Sequence, residues 1–321
     1  MQPPRRRARC AGMTRRSLLA ATLAAATLPA GAAPVRQTWR DAARGRDIPV
    51  LVRLPAAPGA RPLVIVSHGL GGSREGLAYL GQGLAESGFV AVHLQHPGTD
   101  DAIWRGGGSL AMAAAALDAN NAAARLLDGV FAVEEVNRRA RLAGDPLAGR
   151  VDAARLAVAG HSYGAWTVQH LLGQRLPGGE RGLPLPERRL KAGIALSPSP
   201  PRGLPPATAF ARVTAPILHV TGTQDSGYIE GVTPADREIP FRASIAPAAL
   251  AVLNGATHPA FADEAAAGPR WADPTYHART AALAVLFLRT VLEGDAESRA
   301  VLVGGAREVL SVGDRLEVRG L

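Results

Sequence analysis

The chain has 321 residues, of which 47% are hydrophobic and 20% charged, with 36 Gly and 25 Pro, and this composition excludes a disordered chain. The net charge of +9 does not indicate nucleic-acid binding, because six of the 36 basic residues are arginines that lie before residue 17 with no acidic residue among them. The rest of the chain is nearly neutral and has no basic stretch with interspersed aromatic residues, so no nucleic-acid partner is expected.

Residues 1–32 have the pattern of an export signal. The pair Arg15 and Arg16 precedes the apolar run Leu18–Leu28, and small residues at positions 30–32 suit cleavage by a signal peptidase. The segment resembles a bacterial twin-arginine signal, which implies a periplasmic or secreted protein. The apolar run has 11 residues, against the roughly 20 that span a bilayer, so no stable membrane anchor is expected. A disordered basic tail is the alternative, and Met13 is an alternative start.

The single cysteine, Cys10, lies inside this first segment. Without it, the remaining chain has no disulfide and no cysteine ligand for a metal. Covalent catalysis would then need an oxygen or nitrogen nucleophile.

From Thr38 onwards, short β-rich runs alternate with helical runs, which predicts an α/β fold with a mainly parallel sheet covered by helices on both faces. No internal repeat and no second domain is indicated, so residues 33–321 are expected to form one domain. Residues 300–321 are left unassigned, with some strand character over Glu308–Val318. Strands are predicted at Ile48–Leu54, Leu63–Val66, Phe89–Leu94, Arg155–Ala159, Ala192–Leu196, Ile217–Thr221 and Leu250–Leu253, and helices at Gly76–Ser87, within Ser109–Arg141, at Val168–Leu172 and at Arg279–Leu292.

A candidate nucleophile, Ser162, directly follows the predicted strand Arg155–Ala159. It is the centre of the pentapeptide Gly160-His161-Ser162-Tyr163-Gly164, which precedes a helical stretch. A sharp turn from strand to helix strains the central residue and exposes its side chain, and only small residues fit at the two flanking positions. The pattern therefore predicts a reactive serine at the edge of the sheet.

Serine needs a base to remove its proton, and the base needs an acid to orient it. His258 is the candidate base, because it follows the strand Leu250–Leu253 in a turn-rich loop. Asp225 is the candidate acid, because it follows the strand Ile217–Thr221 and should lie at the same sheet edge. Asp236 and Glu230 are the alternatives for the acid.

The loop Ser67–Gly72 follows the strand Leu63–Val66 and resembles the His-Gly loop of esterases. Such a loop supplies backbone N–H groups that stabilise a developing oxyanion, and we assign this role to the N–H groups of Leu70 and Tyr163. The alternative is a Gly-rich turn that leads into a helix.

No metal and no cofactor is expected. His93 and His96 have the spacing of a metal-binding pair, but they lie at a strand end and no third ligand is evident. Trp104, Trp166 and Tyr228 could line an acyl pocket or be ordinary packing residues.

These motifs together resemble the α/β-hydrolase superfamily, and more narrowly the bacterial branch called predicted dienelactone hydrolases, which is related to platelet-activating-factor acetylhydrolases. The resemblance covers Trp39 to Leu292. It is carried by Ser67–Arg74, His96–Asp100, Gly160–Gly164, Thr221–Asp225 and His258.

The resemblance implies a serine hydrolase that acts on a small-molecule ester through an acyl-enzyme. Dienelactone hydrolases themselves use a cysteine nucleophile where this chain has Ser162, so the branch name does not define the substrate. Two alternatives remain open: an exported peptidase, amidase or polyester hydrolase on the same fold, and a binding protein that keeps the fold without activity. A large insertion that covers the site would favour a peptidase, and none is evident in the sequence.

Overall fold

The structure is a computed structural model that describes residues 33–180, 182–227, 231–263 and 273–321. The nine strands of these residues lie in one sheet, in the order β1-β2-β4-β3-β5-β6-β7-β8-β9. The strands are β1 Val35–Asp41, β2 Arg46–Arg53, β3 Arg61–Ser67, β4 Val90–Leu94, β5 Val151–His161, β6 Leu190–Leu196, β7 Ile217–Gln224, β8 Ala248–Thr257 and β9 Arg315–Arg319.

The six central strands, β4, β3, β5, β6, β7 and β8, run parallel to one another. The edge strands β1, β2 and β9 pair antiparallel. The α-helices of the same residues are α1 Ala78–Glu86, α2 Ala102–Gly106, α3 Gly108–Leu117, α4 Ala119–Arg139, α5 Tyr163–Leu171, α6 Pro206–Phe210, α7 Ile239–Ala243, α8 Pro274–Leu288 and α9 Ala296–Val303. The predicted α/β class with a mainly parallel sheet is confirmed.

Helices cover both faces of the sheet because successive side chains of each buried strand point to opposite faces. On β3, Leu63 and Ile65 pack in one core with apolar residues of α4 and α5. Val64 and Val66 pack in the other core, with residues of α1, α8 and α9. A strand buried on both sides reads as a continuous apolar run, which is why β3 is evident in the sequence.

The order in which strands are added to the sheet reverses at β3, because β4 lies on one side of β3 and β5 lies on the other. In open parallel sheets, ligands bind in the crevice at such a point, beyond the carboxyl ends of the strands. The last residue of β3, Ser67, is paired with Gly160 near the end of β5. Farther along the same edge, Gln224 of β7 is paired with Thr257 of β8. The four loops that leave these strands therefore start side by side.

The seven predicted strands are confirmed, and their bounds differ most at β5 and β8. These strands span Val151–His161 and Ala248–Thr257 rather than Arg155–Ala159 and Leu250–Leu253. Two edge strands were not fully predicted. β1 was missed, and β9, at Arg315–Arg319, overlaps only the end of the stretch Glu308–Val318 that has strand character. Residues 296–303, which include the start of the unassigned tail, form helix α9.

The proposed export signal, residues 1–32, lies outside the described residues. Within the residues described, no helix is both long and apolar enough to cross a membrane.

Candidate active site

Ser162 lies on a strained turn between β5 and α5. Its backbone angles are φ 56° and ψ −115°, a region that non-glycine residues rarely adopt. Two hydrogen bonds hold the turn: the Ser162 N–H donates to the carbonyl of Leu196 at the end of β6, and the Ser162 carbonyl accepts from Trp166 N–H in α5. The turn raises the hydroxyl above the sheet edge.

The two glycines that flank Ser162 are required by space. A Cβ on Gly164 would overlap the carbonyl oxygen of Ser67 in β3, and a Cβ on Gly160 would lie 2.5 Å from the carbonyl carbon of Gly164 and 2.8 Å from the Ser67 oxygen. The helix α5 therefore starts in direct contact with the end of β3, and only glycine permits that approach. This is the packing predicted from the pentapeptide.

The three side chains predicted for catalysis lie together at this edge. Nε2 of His258 is 2.9 Å from Oγ of Ser162, and Nδ1 of the same ring is 2.8 Å from Oδ1 of Asp225. Asp225 and His258 directly follow the paired residues at the ends of β7 and β8, so the parallel register brings them together. The carboxylate fixes the proton on Nδ1, which leaves Nε2 free to accept the proton of the serine hydroxyl.

Asp225 is fully buried and remains ionised. Burial alone would raise the pKa of this carboxyl, but the hydrogen bond from His258, the charges of His258 and Arg237 and the hydroxyl of Thr221 lower it to about 2. The Thr221 hydroxyl donates to Oδ2 at 2.8 Å, so each carboxylate oxygen has a partner. The acid is held in one orientation toward the imidazole.

Of the two alternative acids, Asp236 does not contact His258. Its carboxylate accepts from the backbone N–H and the hydroxyl of Thr233, at 2.9 Å and 2.7 Å, and so stabilises a local turn. The other alternative, Glu230, lies outside the described residues, as does Tyr228, one of the three aromatic residues considered for an acyl pocket.

Arg237 is a member of the site that the sequence did not indicate. Its guanidinium is fully buried, and Nε lies 3.4 Å from Oδ1 of Asp225. Nη1 donates to the carbonyls of Ser197 and Pro198, at the end of β6. Nη2 lies 3.2 Å from Nδ1 of His258, which already carries the proton donated to Asp225, so this contact adds positive charge beside the ring rather than a second hydrogen bond.

His161 holds the backbone of the candidate base. Its Nε2 lies 3.0 Å from the carbonyl oxygen of His258, so Nε2 carries a proton and donates it. Burial, followed by the charge of His258, lowers the pKa of His161 to about 3, which keeps its ring neutral beside Ser162. The neutral His161 ring thus links the turn at Ser162 to the backbone of the candidate base.

The loop predicted to form the oxyanion hole lies against Ser162. A Cβ built on Gly69 would be 3.6 Å from the Cβ of Ser162. Tyr163 is the first residue of α5, where backbone N–H groups have no partner within the helix. Leu70 and Tyr163 border one cavity together with Ser162 and His258. Both predicted donors therefore belong to residues next to the nucleophile.

Arg125, in α4, holds the start of this loop by hydrogen bonds. The guanidinium is fully buried and donates to Oγ of Ser67 at 2.9 Å, to Oγ1 of Thr99 at 2.8 Å and to the carbonyl of His68. It also lies 4.5 Å from the centre of the Tyr163 ring. Burial lowers its pKa to about 10, so it is a cation at neutral pH. The start of the loop and the first residue of α5 thus contact one side chain.

His93 and His96, considered as a metal-binding pair, each make separate hydrogen bonds within the structure. Nδ1 of His93 lies 3.0 Å from the Gly76 carbonyl. His96 accepts the Ser67 hydroxyl at Nε2 and donates from Nδ1 to Asp128, at 3.0 Å each. Burial lowers the pKa of both histidines to about 4. No cluster of three or more metal-ligating side chains is found among the described residues.

Ser67, His96 and Asp128 thereby repeat the hydrogen-bond order of the candidate triad, but in the interior. All three are buried, and the Ser67 hydroxyl also accepts from Arg125. Asp128 is further paired with Arg44 and Arg46. Without access to a substrate, this second relay is structural, and it links α4 to the end of β3.

A cavity of 660 Å³ opens over Ser162 and His258. Residues of α5 border it, as do Trp104 of α2 and Met112 of α3. Trp104 is anchored to the oxyanion loop, since its Nε1 donates to the Gly71 carbonyl at 2.8 Å. Both described members of the predicted aromatic set, Trp104 and Trp166, border the cavity. Helical spacing predicted helix over 109–141 but did not indicate that this segment walls the site.

Comparisons with known proteins add no relative: neither the family models nor the curated proteins with which the sequence was compared gave a match.

Proposed function

We propose that this chain is a serine hydrolase of the α/β-hydrolase fold that cleaves carboxylic esters through an acyl-enzyme. One observation carries the proposal: a continuous relay from the Ser162 hydroxyl through His258 to the buried Asp225 opens into a mostly apolar cavity. The strained turn at Ser162 is a second support, because strain of this kind collects at reactive residues.

In the first half of the proposed reaction, Oγ of Ser162 attacks the ester carbonyl carbon while Nε2 of His258 takes its proton. The Asp225 carboxylate stabilises the imidazolium that forms. When the tetrahedral intermediate collapses, the C–O bond to the alcohol breaks and Nε2 returns the proton to the departing oxygen. The product at this stage is an ester between the acyl group and Ser162.

In the second half, water replaces the alcohol. His258 removes a proton from the water, whose oxygen attacks the acyl carbon, and the proton then passes to Oγ of Ser162 as the acid leaves. The negative oxygen of both tetrahedral intermediates would lie near the N–H groups of Leu70 and Tyr163. Each donor would contribute about 3 kcal/mol, by analogy with side-chain donors in such sites.

The composition of the cavity favours esters with an apolar part. Trp104, Met112, Leu117 and Trp166 border it, and burial of such surface contributes roughly 25 cal/mol per Å². The acyl-pocket role of Trp104 and Trp166 is part of this proposal. Trp166 is ordered by contacts to the Tyr163 and His170 rings, with centroids 5.3 Å and 4.1 Å away.

The test combines active-site labelling with turnover. A fluorophosphonate probe is expected to label the native chain at Ser162, and the chain is expected to hydrolyse p-nitrophenyl butyrate. Ser162→Ala should lose both properties while its circular dichroism spectrum stays unchanged. Ser311→Ala, at an exposed serine outside the cavity, is the matched control and should behave as the native chain.

Three outcomes distinguish the alternatives. Hydrolysis by Ser162→Ala at the native rate would refute the nucleophile. Absence of both labelling and turnover would indicate a binding protein without activity. Faster cleavage of p-nitroanilides than of p-nitrophenyl esters would indicate an amidase or peptidase.

We also propose, from the first 32 residues alone, that the chain is exported by the twin-arginine route. Replacement of Arg15 and Arg16 by Lys is expected to retain the protein in the cytoplasm. Fractionation of cells that express both forms tests this, and export of the double variant at the native level would contradict it.

A further inference from the structure

The cavity extends from Ser162 along the whole of α5. Tyr163, Trp166 and His170 border it, and their spacing of three and four residues places them on one face of the helix. Gln174 and Arg175, just beyond the helix end, border the same cavity. Because α5 has nine residues, this far end is separated from the nucleophile by about 13 Å along the helix axis.

The far end is held by backbone contacts. Gly173 makes the turn after α5 with φ +116°, and a Cβ there would lie 2.8 Å from the Arg212 carbonyl oxygen. The Arg175 N–H then donates to the Ala209 carbonyl in α6 at 2.8 Å. Arg175 therefore projects from a tightly packed turn.

A chain of hydrogen bonds fixes the orientation of the Gln174 amide. The backbone N–H of Ser199 is a donor and lies 3.0 Å from the Gln169 side chain, so the atom it contacts is Oε1. Nε2 of Gln169 then donates to the Ser199 carbonyl and to Gln174, so the Gln174 atom that accepts is Oε1. Nε2 of Gln174, with two N–H donors, remains for another partner.

Arg175 has no counter-charge within the described part of the chain. Among the residues that the structure describes, its guanidinium makes no ion pair and no hydrogen bond, and its Nε is buried. By contrast, the nearby Arg212 is paired with Glu180 at 3.2 Å. A partly buried cation without a partner is unfavourable in the free protein and favourable once an anion binds.

The other residues that line the cavity carry no negative side-chain charge in the described part of the chain. Arg202 also borders the cavity, and no Asp or Glu is found among the described residues that line it. The far end of the cavity thus presents the Arg175 guanidinium and the N–H donors of Gln174, whereas the part near Ser162 is mostly aromatic and aliphatic.

We propose that Gln174 and Arg175 form a binding site for a carboxylate carried by the substrate, remote from the ester bond that Ser162 cleaves. The planar guanidinium binds a carboxylate through two parallel hydrogen bonds, and the apolar wall of α5 accommodates the chain between the two ends. The inference rests on the proposed esterase function and names its substrate class: esters with an anionic group at the far end.

The test compares esters that differ only in a terminal carboxylate. On the acyl side, mono-p-nitrophenyl esters of hexanedioic and octanedioic acid are compared with p-nitrophenyl hexanoate and octanoate. On the alcohol side, 6-acetoxyhexanoate and 8-acetoxyoctanoate are compared with hexyl and octyl acetate by pH-stat titration. In at least one series, the native chain is expected to favour the carboxylate ester.

Arg175→Gln is expected to lower the ratio of kcat/KM values, carboxylate over neutral ester, by about ten- to a hundredfold. Arg212→Gln removes the same charge from a residue outside the cavity and should keep the native ratio. An equal ratio in native and Arg175→Gln protein, in both series, overturns the inference while leaving the esterase function intact.

A binding measurement separates this inference from the proposed function. Calorimetric titration with octanedioate is made on Ser162→Ala protein and on the Ser162→Ala, Arg175→Gln double variant, neither of which needs to turn over substrate. Octanedioate should bind the first at least tenfold more tightly than the second, even if no ester is hydrolysed. Equal binding by the two variants would overturn the site.

Discussion

Arg237 lies against the carboxylate of Asp225, with Nε 3.4 Å from Oδ1 and both side chains fully buried. The same carboxylate oxygen accepts the hydrogen bond from His258. One buried anion is thus shared between a permanent cation and the candidate base. Because charges inside a protein are stable only with partners, the two side chains depend on each other.

Replacement of Arg237 by Met is therefore expected to reduce both stability and turnover. The Asp225 carboxylate would lose its permanent counter-charge, which costs about 3–5 kcal/mol of unfolding free energy, and its pKa would rise from about 2. Urea denaturation at pH 7.5 measures the first effect, and kcat on p-nitrophenyl butyrate measures the second.

Arg242→Met is the matched control for Arg237→Met. Arg242 is half exposed and pairs with Glu238 and Glu317, and surface pairs of this kind contribute about 0–1 kcal/mol. Equal losses of stability in the two variants would show that burial of Arg237 has no special effect.

The two described candidates for the acid can be separated by the same substitution. Asp225→Asn keeps the shape of the side chain but no longer holds the His258 proton on Nδ1, so kcat is expected to fall by about 10³–10⁴. Asp236→Asn affects only the turn at Thr233 and should leave kcat within about twofold of the native value. A larger loss in Asp236→Asn than in Asp225→Asn would reverse the assignment of the acid.

Much of the sheet and the catalytic relay could be predicted because both depend on local pattern. Buried parallel strands are continuous apolar runs, and Ser162, Asp225 and His258 each follow such a run. Parallel topology then brings their loops to one edge without any knowledge of distances. β1 was missed because five of its seven residues are polar or charged and it alternates between buried and more exposed positions at the edge of the sheet.

Other members of the site could not be predicted because their positions depend on long-range packing. Arg237 lies 12 residues after Asp225 in a segment without periodicity, and nothing local indicates its burial. Arg125 is different, because the sequence around it does contain a signal. Together with Asp128 it interrupts the apolar face of α4 beside Leu126, and charged residues on a buried face require partners. The anionic preference inferred at Arg175 depends on which side chains lie near it in space, and no described Asp or Glu lines the cavity there.

Arg125→Met is expected to lower kcat more than it changes KM. The variant leaves the His68 carbonyl and the Ser67 and Thr99 hydroxyls without their buried donor, so the loop that carries the Leu70 N–H loses its support. A kcat loss of about tenfold or more, with a stability loss of about 2–4 kcal/mol, is expected. Arg125→Lys should recover part of the stability but less of the kcat, because one ammonium cannot replace the four hydrogen bonds that the guanidinium makes, including one to Thr167. Full activity in Arg125→Met would contradict a positioning role.

Gly164→Ala should prevent normal folding. The added methyl group would meet the backbone of Ser67, which cannot move without breaking the contact between α5 and β3. Gly83→Ala, inside α1, is the comparison: its methyl group would meet only the Cβ of Ala281 at 3.2 Å, and alanine favours a helix. Soluble yield and melting temperature measure both variants, and native-like melting of Gly164→Ala would refute the packing at the turn.

The chain contains eight histidines, and six of them are held neutral by burial. Burial is the largest cause in each case, and it lowers their pKa values below the ordinary 6.5. The pKa of His68 lies well below its ordinary value. The pKa is about 4 for His93, His96 and His170, and about 3 for His161 and His219.

Stability is therefore expected to fall steeply as pH decreases from about 6.5 to about 4. In this window the unfolded chain takes up protons that the folded chain excludes, and each such histidine lowers the unfolding free energy by up to about 1.4 kcal/mol per pH unit. His219 allows the clearest test, because it lies in β7, packs against Phe241 and has no hydrogen-bond partner for either ring nitrogen among the described residues. His219→Leu should keep or raise the unfolding free energy at pH 7.5, and the variant should take up about one proton fewer on unfolding in acid. Urea denaturation between pH 7.5 and pH 4.5 measures both effects. If the native chain were equally stable at both ends of that range, the histidines could not be buried and neutral as described.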